Sequence, residues 1–143
     1  MSSASDRVQR PLPFIESHNE GYWAAAREHK LRVQVCLHCG VNRHPPTPGC
    51  WRCGSPEWHW EEVGQPIRGV VESYVIVYRA FVRGFEQDVP YGVALAALLN
   101  CRGVRLLGGV VNAEPGNLEI GMEVELVWEE RGSGLSLPQW SIV

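Results

Sequence analysis

The chain has 143 residues, a net charge of −3 and a hydrophobic fraction of 45%, which suits one ordinary domain, or a small module joined to one, and excludes wholesale disorder. Nowhere do about 18 uncharged apolar residues follow one another, which excludes a membrane-spanning helix. Residues 1–13 hold no apolar run before a small-residue cleavage site, so the expectation is a protein of the cytoplasm, in which five cysteines point to metal binding or thiol chemistry before disulfides.

In chain order, residues 1–13 read as a loose tail. A helix is expected over 14–28, with Pro13 near its first turn and Ile15, His18, Tyr22, Ala25 and Ala26 along one side. Gly21 in its interior costs about 1 kcal/mol relative to alanine, so this helix needs a surface to dock on. Residues 31–35 alternate Leu, Arg, Val, Gln, Val and predict a short strand. Pro45, Pro46 and Pro48 then exclude regular structure. From Trp58 to Trp60 the extended pattern resumes, with both tryptophans on one face and His59 on the other.

The remainder reads as β-structure, with strands over 69–79, 91–99, 104–111, 122–128 and 139–143. Met122, Val124, Leu126 and Trp128 point inward on the fourth. Residues 100–103 read as a tight hairpin connection, and 79–90 and 129–138 as longer loops. Five short antiparallel strands behind a separate module favour a closed or partly closed barrel, because closure hides the strand edges. Gly108 and Gly109 predict the bend or bulge that closure requires. Gly92, Ala94 and Ala96 make one face of the second strand nearly flat, so that a helix of this chain or a partner can lie close to it. The expected fold is mainly β, divided into a tail and helix (1–30), a metal ribbon (31–60) and a five-stranded barrel (61–143).

Cys36-Leu-His-Cys39-Gly40 and Cys50-Trp-Arg-Cys53-Gly54 are two CxxCG knuckles. A two-residue spacer lets both thiolates of a knuckle face one ion, and glycine after the second cysteine lets the turn close. Two knuckles complete a tetrahedral shell with no open position, the pattern of one structural Zn²⁺; iron in a rubredoxin-like site has the same geometry. A single redox CxxC beside a βαβ pattern is the competing reading, and that pattern is absent. Cys101 stands apart at a hairpin tip, no histidine follows His59, and no nucleophile, phosphate-loop or metalloprotease motif occurs, so no catalytic residue is assigned.

The order of helix, Cys₄ ribbon and five-stranded barrel resembles the DUF35 family, which joins a rubredoxin-like zinc ribbon to an OB-fold and associates with acyl-CoA enzymes. The carriers are the two knuckles, Pro45-Pro46, Gly69, Pro90-Tyr91, Gly103-Val104-Arg105-Leu106 and Ile120-Gly121-Met122 before Val124. Two positions depart from the family pattern: Thr47 stands where arginine usually follows the paired prolines, and Trp51 where proline commonly follows the third cysteine. The resemblance implies a non-catalytic subunit, in a hetero-oligomer with a thiolase-fold acyl-CoA enzyme such as a thiolase or retro-aldolase, that helps enclose a coenzyme A thioester. A thioester channel buries its pantetheine arm only under a roof, and Arg79 and Arg83, beside Phe81 and Phe85 in the 79–90 loop, are the residues expected to touch the thioester. Tyr22, Trp23 and Trp51 are the expected partner contacts. Neighbours on a helix point about 100° apart, so Tyr22 and Trp23 cannot both be buried by one flat surface. Trp51 sits mid-knuckle and either anchors an interface or folds back on Trp58 or Trp60.

Zinc ribbons and OB-folds also serve nucleic-acid binding, and a free-standing acyl-CoA-binding protein is a further alternative. Recognition of single strands uses a basic groove interleaved with aromatics. From residue 61 onward the chain carries six arginines and no lysine against ten glutamates and Asp88, a net −5, so neither nucleic acid nor membrane is expected as a partner.

Overall fold

Only the second half of the expected helix forms: α1 spans Glu20–Arg27 in this computed structural model, which describes residues 9–132 and 134–143. The first eight residues of the expected tail lie outside that description. The helix starts late because the Asn19 side chain accepts from the Glu16 N–H and donates to the Phe14 carbonyl, holding the preceding segment in a turn. So short a helix needs tertiary support. It buries Tyr22, Ala25 and Ala26 and packs on two strands of this same chain, Arg32–Cys36 and Leu135–Ile142. Gly21 is required by that docking, since a Cβ there would lie 2.5 Å from Trp60 Nε1.

Strand β1 (Arg32–Cys36) is the centre of a three-stranded antiparallel sheet, between β2 (Asn42–Arg43) and β3 (Trp58–Glu62). Gln34 pairs with Arg43 on one side and Trp60 on the other, and Cys36 pairs with Trp58. Side chains alternate along a strand and partners across a ladder share a face, so Gln34, Cys36, Arg43, Trp58 and Trp60 all project from the same side.

The second sheet runs β6-β5-β4-β7-β8, built from β4 (Arg68–Val77), β5 (Tyr91–Leu98), β6 (Arg105–Gly109), β7 (Glu123–Arg131) and β8 (Leu135–Ile142), every ladder antiparallel. Among the described residues no full ladder joins the two edges. They are drawn together by a parallel bridge between Val110 and Trp140, by the Trp140 indole N–H donating to the Leu106 carbonyl at 3.1 Å, and by the Gly109 N–H donating to Gln139 Oε1 at 2.6 Å. Trp140 is wholly buried in a core that also holds Val71, Ala94, Ala96, Leu106 and Val124. The result is the mainly β arrangement expected: one N-terminal helix, a Cys₄ ribbon and a five-stranded, partly closed OB-fold.

Three details differ from expectation. Gly108 and Gly109 stay in continuous register with Ala94 and Val93, and the bulge lies instead in β4 between Val71 and Ser73. Gly108 is there for close approach: a Cβ would lie 3.1 Å from both the Pro138 carbonyl and the Trp140 ring. The segment 129–138 is no long loop, because β7 and β8 extend to Arg131 and Leu135 and form a hairpin; as an edge strand β8 tolerates Pro138 opposite Trp128. Finally, the flat face of β5 is filled from within. Ala94 and Ala96 are fully buried, and Leu118, just after the 3-10 turn Pro115–Asn117, occupies the space over Gly92, its Cδ1 2.4 Å from where a Cβ would be.

Candidate metal centre

Each knuckle is built by the same local bonds. The Cys36 N–H donates to the Val41 carbonyl and the Gly40 N–H to the Cys36 carbonyl, both at 3.0 Å; in the second knuckle Cys50 N–H meets the Ser55 carbonyl and Gly54 N–H the Cys50 carbonyl, both at 2.9 Å. Gly40 and Gly54 take φ of +77° and +79°, the left-handed backbone that side chains disfavour. The first knuckle leaves the end of β1, and the second returns the chain towards β3.

These turns bring all four sulfurs within 4.8 Å of one another. Cys36 and Cys53 are 3.6 Å apart, as are Cys39 and Cys50. A Zn–S bond of about 2.3 Å implies a tetrahedron with edges of about 3.8 Å, so the donor set fits the ion. Backbone amides point at sulfur, Cys39 N–H to Cys36 Sγ at 3.5 Å and Arg52 N–H to Cys50 Sγ at 3.4 Å. The Cys39 amide is the main reason the Cys36 thiol is pulled down to about 6. At Cys53 the Ser55 backbone contact acts in the same sense, yet burial and the three neighbouring sulfurs outweigh it and push that thiol up to about 11. Four thiols packed this closely lose their protons together only when a cation sits between them. With every ligand position filled by sulfur, the centre can hold structure together and has no place for water or substrate.

Around the cysteines lies a buried polar layer that sequence reasoning missed. Gln34 donates to the carbonyls of His18 and Thr47 and accepts the Thr47 N–H, tying the segment ahead of α1 to the ribbon. Arg43 is wholly buried. Its Nη2 donates to the Thr47 carbonyl, its guanidinium lies 5.3 Å from the Trp58 ring centroid, and its Nε and Nη1 have no partner. Thr47 is the position at which the resemblance expects arginine. His44 is half-buried with its ring 5.6 Å from the Tyr22 ring, its Nδ1 buried and unpartnered, and desolvation pushes its pKa down to about 4. The one available signal was Arg43 itself, a charge on a strand directly after the first knuckle.

The other expected site residues lie on separate elements. Arg79 and Arg83 are exposed on the loop after β4, with Arg79 5.9 Å over the Phe81 ring. That loop is clasped by Arg10, which pairs with Asp88, donates to the Gly84 carbonyl and sits 4.3 Å over the Phe85 ring. Tyr22 is spent on the chain's own core, whereas Trp23 keeps a half-buried position. Trp51 is 72% exposed; its indole N–H donates to the Asn42 carbonyl at 3.3 Å, while Trp58 and Trp60 pair edge-on with each other. Burial, then Glu61, raises the Cys101 thiol, as suits a spectator rather than a nucleophile. Among the described residues no helix is long and apolar enough to cross a membrane.

Comparison with known proteins places this geometry. Residues 23–59 match the ChsH2 rubredoxin-like zinc ribbon domain and residues 60–129 the ChsH2 C-terminal OB-fold domain. A "Probable enoyl-CoA hydratase alpha subunit" of Thermomonospora curvata is 39% identical over 132 residues, 92% of this chain. The chain spans only 40% of that protein's length. A "DUF35 domain-containing scaffold protein" of Methanocaldococcus jannaschii is 31% identical over 74% of this chain and 73% of its own. A solved structure described as "Ltp2-ChsH2(DUF35) aldolase" superimposes with a TM-score of 0.78 at 37% identity, covering 92% of this chain and 98% of that one. The chain thus belongs to the DUF35 family, with the ChsH2 pairing of zinc ribbon and OB-fold.

Proposed function

We propose that this chain is a non-catalytic subunit of a hetero-oligomeric acyl-CoA enzyme, with a thiolase-fold aldolase or thiolase as its partner. The observation that carries the reading is the end-to-end match, at 37% identity, to a chain of the Ltp2-ChsH2 aldolase. In it Cys36, Cys39, Cys50 and Cys53 hold one Zn²⁺ that supplies rigidity and no chemistry, within a ribbon unit of about residues 31–60 ahead of a barrel unit of 61–143. The partner provides the nucleophile and the acid-base groups. Arg79 and Arg83, exposed beside Phe81, are placed on a loop that can cover a coenzyme A thioester, the arginines meeting its phosphates and the aromatic its apolar arm.

Trp51 and Trp23 are the contacts proposed for the partner. An exposed tryptophan on a turn stiffened by a metal loses little freedom on binding, which is what makes a strong anchor. The test is co-expression with a thiolase-fold acyl-CoA enzyme followed by gel filtration. A stable complex that cleaves or condenses acyl-CoA, beside an isolated chain with no turnover, is expected. Steady turnover by the isolated, homogeneous chain, or its failure to associate with any such enzyme, would overturn the proposal.

A further inference from the structure

We infer that Arg43 is the internal counter-charge of the tetrathiolate metal centre, a positioning residue that holds the ion by balancing its ligands. The inference rests on reading the four cysteines as a zinc site. Arginine stays protonated in any protein environment. Here the guanidinium is fully buried, with Nε and Nη1 unpartnered, and its polar contacts are the carbonyl and hydroxyl of Thr47, neither of them charged. A buried cation left in this state is strongly unfavourable unless a negative charge lies near.

Arg43 projects from the same face of the ribbon sheet as Cys36. Its guanidinium rests on the ring of Trp58, the strand partner of Cys36. Its other contact, Thr47, donates through its hydroxyl to the carbonyl of Gly49, the residue before Cys50. Arg43 is therefore held between the strand that delivers the first knuckle and the segment that delivers the second. Four thiolates around a divalent ion carry a net charge of −2, and with Cys36 and Cys50 buried, Cys39 half-buried and Cys53 exposed, solvent screens that charge only in part. Loading the ribbon supplies the anion that Arg43 lacks, and Arg43 in turn lowers the cost of gathering four thiolates. Trp58 helps to fix the guanidinium through a cation–π contact.

The test uses the full-length, zinc-loaded chain as wild type, Arg43→Met and Arg43→Lys. The methionine keeps most of the apolar stem and removes the charge; the lysine keeps the charge. Zinc transfer to a chromogenic chelator should be about tenfold or more faster from Arg43→Met, the usual scale for losing a group that supports metal ligands, and within about threefold of wild type from Arg43→Lys. In the Co²⁺-substituted proteins the thiolate-to-metal charge-transfer band should move to longer wavelength in Arg43→Met alone, because sulfur electrons are no longer held by a neighbouring cation. Should the methionine variant fail to fold, Arg43→Lys decides: zinc loss tenfold faster than wild type, or a displaced band, overturns the inference. Arg43→Met that matches wild type in zinc release and band position overturns it as well, leaving a hydrated, structural arginine. A wild-type chain that holds no metal would sink the zinc reading and the inference together, whereas a loaded wild type matched by Arg43→Met sinks the inference alone.

Discussion

The ribbon and the barrel solve the problem of a small core in opposite ways. The partly closed barrel packs around Trp140, an aromatic whose single polar atom is satisfied by the Leu106 carbonyl, with small and branched apolar side chains in the same core. The ribbon sheet has too few residues for that. It buries Gln34 and Arg43, with His44 half-buried, beside four cysteines, and a layer so polar cannot be held by the hydrophobic effect alone. One region is stabilised by area removed from water; the other adds ligand bonds and the polar groups arranged around them to the little it gains from Leu31 and Val33, which join the barrel's core.

The largest effect expected from this contrast is at the metal. Replacing Cys39 with serine should abolish zinc retention and unfold the ribbon, since metal binding and folding are coupled in modules of this size. Elemental analysis and near-ultraviolet circular dichroism would check it, and a Cys39→Ser protein that keeps stoichiometric zinc would break the comparison. The barrel's counterpart is Trp140→Ala, which should cost about 3–5 kcal/mol in denaturant unfolding while the folded fraction keeps its zinc. Loss of zinc in that variant under native conditions would mean the two regions are not separable.

A smaller effect sharpens the contrast through pH. Burial holds the His44 pKa at about 4 in the folded chain, against about 6.5 unfolded. The unfolded state then binds the extra proton first, so stability is full above about pH 6.5 and is lost as pH falls towards 4, by about 3 kcal/mol in all. Acid also protonates the cysteines, so the measurement is the difference in pH slope between wild type and His44→Phe. Equal slopes would show that the ribbon's acid sensitivity comes from the thiols alone. The smallest effect concerns the outer surface: Trp51→Ala and Trp23→Ala should each weaken co-purification with the partner by about 1–2 kcal/mol and leave zinc content unchanged. If both bind like wild type, attention moves to the exposed loop carrying Tyr78, Phe81 and Val82.

What could be read from the sequence was whatever neighbours in the chain decide. The CxxCG turns depend on a few consecutive residues, and their sulfurs converge as the spacing requires. The alternation of β7 is local too, and Val124 and Leu126 are buried as it predicts. The helix was over-extended because the Asn19 side chain captures the backbone of the segment ahead of it, an event that periodicity does not register. Tyr22 is buried and Trp23 half-buried against the same core, and nothing local said which would go deeper.

The tertiary structure alone decided everything that depends on residues far apart in sequence. Gly21 is glycine because of Trp60, Gly92 because of Leu118 and Gly108 because of Trp140, so each small residue marks an approach whose partner the chain brings from elsewhere. The bulge fell in β4 and not at the glycine pair, since register is set by the whole sheet and not by the residue best able to bend. Arg43 shows the same division most sharply. Its charge is written in the sequence, but its burial against Trp58 and Thr47 arises only when β1, β2 and β3 pair, because the cost of desolvating a guanidinium belongs to the surroundings that the fold assembles.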